Sequence, residues 1–252
     1  MNEEQETIVA ASLTGGDVRI LPHLPYLLQD LWELGSDPQE IAGMLAHSAH
    51  LDQSSRVLDL GCGKGAVSVE VAKRIGCSVA GRDLMPSFIE EAREKALQYH
   101  VDHLCQFAVA DILEAVQVER DYDAVIFGAV GDIFDNQYEL IEKLKSTVKS
   151  QGYLVIDDAY ALEGDDYLKR DDWYRIFDEA RCIIVQEAPV DPGITAATNR
   201  YGQRFIERRA AELAERYPQS ADLFARYVAD QQAECDDLES WLQGVTWLLR
   251  VK

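Results

Sequence analysis

From Ser55 onward the chain alternates short apolar runs with amphipathic helical patterns, and this alternation limits the possible folds more than any other feature. "RVLDL", "CSVAGRD", "LCQFAVAD", "YDAVIFGAV", "GYLVIDDAY" and "CIIVQEA" read as six strands. Between them the spacing predicts helices over Lys64–Ile75, from Pro86 to about Tyr99, over Tyr138–Lys149 and across "DDWYRIFDEA". Apolar strands separated by helices form a parallel sheet covered on both faces. The expected fold class is therefore α/β.

The flanks read differently. Residues 1–20 carry no clear periodicity. Leu24–Leu34 has the pattern of a short amphipathic helix stopping at Gly35. Asp37, Pro38 and Glu40 suit the N-cap, N1 and N3 positions of a second helix running to about His50. After the sixth strand, Pro189 and Pro192-Gly193 mark a loop. Phe205, Ile206, Ala210, Leu213 and Tyr217 then form a helical stripe ended by Pro218. A further stripe from Leu223 to Leu242 predicts one or two more helices, stopped by Gly244, and "VTWLLRVK" follows as a strand. The C-terminal aromatics are expected to pack on the sheet rather than line a pocket.

Composition removes several function classes. Aspartate and glutamate number 45 against 24 lysines and arginines, a net charge of −21. Such a surface repels nucleic-acid phosphates and anionic membranes. No apolar run reaches the length of a membrane helix. The opening "MNEEQETIVA" lacks the basic and apolar regions of a signal peptide. The cysteines, Cys62, Cys77, Cys105, Cys182 and Cys235, are odd in number and form no C-x-x-C pair. That argues for a reduced, cytoplasmic protein without a disulfide framework. His47, His50, His100 and His103 lack a matching ligand set, so no metal site is expected.

"VLDLGCGKGAV", Val57 to Val67, carries the chemistry. Parallel α/β sheets bind ligands beyond the carboxyl ends of their strands. Gly61 and Gly63 let the backbone turn sharply there and approach a ligand, and the following helix offers its first N–H groups. Two cofactors fit the loop. Gly61, Gly63 and Ala66 satisfy the relaxed dinucleotide pattern G-x-G-x-x-A, with Asp83 placed 22 residues after Gly61 as a ribose-binding acid. An NAD(P)-dependent oxidoreductase therefore stays open on the loop alone. Asp59, inside the strand, would repel a pyrophosphate but suits a cation. Asp111, ending the third strand, can accept from an adenine amino group. Acids at three successive strand ends favour a cationic adenosyl ligand, S-adenosylmethionine.

These segments resemble the class I S-adenosylmethionine-dependent methyltransferases. "VLDLGCGKG" is similar to the family's first motif and "VAGRDL" to its second strand, with Arg82 where an apolar residue is usual. "VADIL", "YDAVIFGAV" and "LKSTVKSQGYLVIDD" extend the likeness from about Ser55 to Asp158. The resemblance implies a Rossmann-like, seven-stranded sheet with its last strand antiparallel and inserted beside the sixth. It implies an N-terminal helical lid over residues 1–54, a cofactor-binding core over 55–193, a helical substrate cap over 194–244 and a closing strand over 245–252. It implies cofactor contacts from Asp59, Gly61, Cys62, Gly63, Asp83, Leu84, Asp111, Ile112 and Gly128. The expected reaction is methyl transfer to a small molecule by in-line displacement, with a non-catalytic S-adenosylmethionine-binding protein as a further alternative and a homodimer admitted.

The acceptor is not specified. "IFGAVGD" lacks the NPPY or DPPY type of motif. Candidates to face the methyl group are His23 and Tyr26 from the lid, Asp132 after strand four, and Asp158 and Tyr160 after strand five. Asp157 and Asp158 read as a solvated turn rather than a metal pair.

Overall fold

The computed structural model describes Gln5, Thr7, Ala10 and residues 16–252. Most of the stretch without periodicity at the start of the chain lies outside these residues. A 3₁₀ turn, Val18–His23, leads into α1 (Leu24–Leu27) and then α2 (Pro38–His47). The core follows as β1 (Arg56–Leu60), α3 (Ala66–Ile75), β2 (Ser78–Asp83), α4 (Pro86–Gln98), β3 (Cys105–Val109), α5 (Ile112–Val118), β4 (Tyr122–Gly128), α6 (Gln137–Lys145), β5 (Val148–Ala161), α7 (Arg170–Glu179) and β6 (Cys182–Pro189). A helical hairpin, α8 (Pro192–Arg216) and α9 (Ala221–Ser240), precedes β7 (Leu242–Val251).

The sheet order is β3-β2-β1-β4-β5-β7-β6. β7 runs antiparallel to both β5 and β6 and lies between them, as the resemblance implied. Successive strand residues point to opposite faces, so each face has its own core. Val57, Val79 and Ile126 pack under α2, α3 and α4. Leu58, Val125, Ile156 and Trp247 pack under α5, α6 and α7, where the Trp173, Phe177 and Trp247 rings meet with centroids 5.1 to 5.6 Å apart. A third cluster joins Leu24 and Leu27 to Phe88, Ile206 and Phe224, so α1, α4 and the helical hairpin share one apolar seam.

Several local expectations change. The helix expected over Leu24–Leu34 ends at Leu27; beyond it the Leu28 carbonyl accepts from the Leu31 amide in a tighter turn, and the carbonyls of Leu28 and Leu31 also accept from Lys64 Nζ. Lys64 itself lies before α3, not in it. The helix expected to Lys149 stops at Lys145; Thr147 Oγ1 donates to the Leu144 carbonyl, and β5 begins at Val148. Pro192-Gly193 opens α8 rather than forming a loop, since Pro192 suits N1 and the Asp191 side chain accepts from the amides of Gly193 and Ile194. Gly244 does not end a helix: α9 stops at Ser240, and Gly244 pairs with Ala159 within β7. Asp157 and Asp158 are strand residues, not a turn, and face opposite sides of the sheet.

Candidate active site

A cleft of about 1030 Å³, counted with its open mouth, lies across the carboxyl ends of β1 to β4. The turn from β1 into α3 shapes its floor. Gly61, Gly63 and Gly65 adopt φ values of 76°, 50° and 78°, a region costly for side-chain-bearing residues. At Gly61 a Cβ would also stand 2.5 Å from Val130 Cγ2 on the opposite wall. The amides of Gly61 and Cys62 both donate to the Arg82 carbonyl, at 2.8 and 3.0 Å, which pins the turn to the end of β2. Arg82, unusual at its position, ion-pairs with Glu119 at 2.6 Å.

Three carboxylates meet this turn. Asp59 is 3% exposed, and its Oδ2 accepts from Ser68 Oγ at 2.5 Å. Burial pushes its carboxyl up to about 6 against the opposing hydrogen bond from Ser68, and the nearby Asp83 adds to the rise. Asp83 accepts from the Gly63 amide through Oδ2 at 2.9 Å and from the Met85 amide through Oδ1 at 2.8 Å. Burial raises its carboxyl too, while those two amides oppose the rise. Asp111 caps α5 by accepting from the Leu113 amide at 2.8 Å, and its second oxygen accepts from Gln5 Nε2 at 3.1 Å. Leu84 and Ile112 supply apolar wall beside Asp83 and Asp111, and Gly128 ends β4 on the far side. Cys62 lines the same wall, its thiol pushed well up by burial. All nine positions named from the sequence as cofactor contacts therefore line one cleft.

The five acceptor-side candidates do not line it. His23 packs against Phe224 and Tyr217, with ring centroids 4.9 and 5.5 Å away, and burial lowers its pKa. Tyr26 donates its hydroxyl to Glu212 on α8 at 2.6 Å. Tyr160 lies beside Trp247, at 6.3 Å between ring centroids. Asp132 is exposed, accepts from Gln137 Nε2 at 2.8 Å, and lines a second cavity with Tyr167 and Trp173. Asp158 accepts from the Tyr167 hydroxyl at 2.9 Å, and burial pushes its carboxyl up to about 6. Among the described residues no group of three or more His, Cys, Asp or Glu could hold a metal ion.

Sequence reasoning missed the wall that faces the glycine turn, Trp32, Leu34 and Ser36, and the role of Lys64 within the turn. Nothing local marks Lys64, whose carbonyl partners lie 33 and 36 residues away. Its ammonium is taken by those carbonyls and by Glu91, so it offers no free positive charge to a phosphate. Buried carboxylates around a backbone turn, with no unpaired cation among the described lining residues, suit a positively charged ligand bearing hydroxyl and amino groups.

Fold and site together define an α/β domain with an acid-lined cleft at the carboxyl ends of its first four strands. The family model described as "Methyltransferase domain" matches residues 51–181, just over half the chain. The chain belongs to this methyltransferase family, in agreement with the class I S-adenosylmethionine-dependent resemblance read from its motifs. A sterol 24-C-methyltransferase of Candida albicans is 32% identical over 81 residues, 32% of this chain and 22% of that one. A malonyl-[acyl-carrier protein] O-methyltransferase of Acetivibrio thermocellus is 32% identical over 120 residues, 46% of this chain and 41% of that one. The chain thus spans less than half the length of these relatives. Among solved structures, an S-adenosylmethionine-dependent methyltransferase from Thiobacillus denitrificans in complex with S-adenosylhomocysteine superposes with a TM-score of 0.73. It shares 16% identity, covering 91% of this chain and 98% of that one. YjhP from E. coli gives 0.75 at 17% identity over 90% and 100% of the two chains.

Proposed function

We propose that this chain binds S-adenosylmethionine in the cleft at the ends of β1 to β4 and transfers its methyl group to a small-molecule acceptor. One observation carries the reading: Asp59, Asp83 and Asp111 converge with the glycine turn on a single cleft. The residues fit the ligand. Asp83, already oriented by two amides, holds the ribose hydroxyls. Asp111 accepts from the adenine amino group where it now accepts from the Gln5 carboxamide, and Leu84 and Ile112 flank the base. Asp59 balances the ligand's positive charge, which stabilises its ionised form. Gly61 leaves room for the backbone to approach the amino-acid tail.

When bound, S-adenosylmethionine supplies a methyl carbon already activated by its sulfonium. The chain's task is alignment and exclusion of water. Leu34, Ala129, Val130 and Ile133 give the acceptor side an apolar lining suited to that task. None of the five acceptor-side candidates lines this cleft, so the reading needs no general base from them. The net charge of −21 argues for a small acceptor rather than nucleic acid or an anionic membrane. No helix among the described residues is long and apolar enough to cross a membrane. Five free cysteines, four of them buried, fit a cytoplasmic setting, and a homodimer is compatible with the reading.

Titration calorimetry with S-adenosylmethionine and S-adenosylhomocysteine tests the proposal. Sub-millimolar binding of both is expected, and absence of both rules it out. Release of S-adenosylhomocysteine in a screen of metabolite pools separates an enzyme from a protein that only binds the donor. Enhanced nicotinamide fluorescence on mixing with NADH would instead revive the dinucleotide reading.

A further inference from the structure

We infer that Lys64 is a positioning residue that couples methyl-donor binding to the order of residues 28–36, the segment bridging the donor and acceptor sides of the cleft. The inference rests on the methyl-donor reading above. Lys64 stands in the glycine turn, yet its side chain is 0% exposed. Its ammonium donates to the Leu28 carbonyl at 2.7 Å and the Leu31 carbonyl at 2.9 Å, and pairs with Glu91 on α4 at 2.9 Å. An ammonium has three hydrogens, and these three acceptors account for all of them. The return contact comes from the segment itself: Trp32 Nε1 donates to the Lys64 carbonyl at 2.9 Å. The Trp32 ring stacks on Tyr99 at 5.1 Å between centroids, which fixes the indole at the cleft wall.

Residues 28–36 contain no helix or strand, so no regular backbone ladder holds them. Three sets of contacts anchor them. One is Lys64. A second is Asp30, which accepts from Arg208 at 2.9 Å and from Arg209 at 2.6 and 2.9 Å, both on α8. The third is the acceptor side, where Ser36 Oγ and Asp157 of β5 both crowd Gly128 and Gly35 approaches Ala129 so closely that a Cβ there would stand 2.5 Å away. The donor end is continuous with the ribose carboxylate: Asp83 accepts from the amide of Gly63, the residue preceding Lys64. A ligand that draws on Asp83 therefore acts on the turn that carries Lys64, and Lys64 transmits the constraint to the segment walling the acceptor. A lysine is required because its flexible stem delivers three donors to acceptors on two elements; methionine keeps the volume and delivers none.

Amide hydrogen exchange with and without saturating S-adenosylhomocysteine tests this. In the unmodified chain the ligand is expected to slow exchange of amides 28–36 at least tenfold. In Lys64→Met, held at ligand concentrations that restore saturation, the glycine-turn amides still slow while those of 28–36 change less than twofold. Trp32→Phe keeps the stacked ring but removes the return hydrogen bond, and should fall between the two. If Lys64→Met does not fold, Trp32→Phe alone decides: a response equal to the unmodified chain overturns the inference. So does an equal response in all three proteins, or ligand binding with no slowing at 28–36. Failure of the unmodified chain to bind the ligand would overturn the methyl-donor reading and this inference with it. A merely structural role for Lys64 would raise basal exchange without removing the ligand-dependent change.

Discussion

The two halves of the sheet hold their carboxylates by different means. Around β1 to β3, Asp83 is oriented entirely by backbone amides, those of Met85 and of Gly63 in the neighbouring turn, and Asp111 by that of Leu113, with Gln5 on its second oxygen and Ser68 on Asp59 as the side-chain donors. Beyond β4, Asp132 and Asp158 also depend on side chains, Gln137 and Tyr167, carried by separate segments. Backbone donors persist through side-chain substitution, whereas side-chain donors change with one codon. The first arrangement suits a ligand common to a whole family, and the second suits an acceptor that differs between relatives.

Five substitutions would break or sharpen this contrast. Gly61→Val should have the largest effect, because it imposes both a left-handed strain and a 2.5 Å clash with Val130. Loss of S-adenosylhomocysteine affinity by more than about a hundredfold is expected in calorimetry, with the helical circular dichroism retained. Asp83→Ala should weaken the same ligand well beyond about tenfold, while Asp158→Asn changes it less than about twofold; comparable losses in the two would erase the distinction between the halves.

Asp59 supplies a pH test. Its folded pKa of about 6 stands above the ordinary carboxyl value, so the folded apoprotein keeps the proton to higher pH than the unfolded chain does. The resulting stabilisation is fully present below about pH 4 and is lost as pH rises through about 6, on the order of 3 kcal/mol at most. A cationic ligand favours the ionised form, so donor affinity should rise between pH 5 and 7 and then level off. Asp59→Asn should flatten that rise; an unchanged pH profile would remove Asp59 from the charge balance. The smallest effect belongs to Tyr167→Phe, which removes one hydrogen bond to Asp158. It should cost about 1 kcal/mol in denaturant unfolding and leave donor affinity unchanged.

The same contrast explains what could be read from the amino-acid order. Strand positions, the glycine turn and the acids at strand ends follow from short-range patterns, whereas the reversed last strand and the full set of nine cleft-lining residues come with the family resemblance those patterns carry. α5 was not foreseen, because seven residues after Asp111 give too little periodicity and Asp111 was assigned to ligand alone, although it caps that helix. The segment beyond Leu27, expected to be helical as far as Leu34, takes a partner outside its own sequence, since Lys64 donates to its carbonyls. Chain position puts His23, Tyr26 and Tyr160 near the acceptor, whereas their partners come from the helical hairpin and β7. Long-range side-chain contacts decide these sites, and no local pattern encodes them.

The insertion of β7 between β5 and β6 has a consequence for synthesis on the ribosome. Among the described residues β6 pairs with no strand other than β7, so while residues 242–251 are still in the exit tunnel β6 has no place in the sheet and the edge of β5 stays open. Five parallel strands can assemble as they emerge, but the donor-binding half then waits, attached to an unpaired β-edge that can template unwanted pairing. Chains stalled upstream of Leu242 should therefore be the ones that chaperones retain.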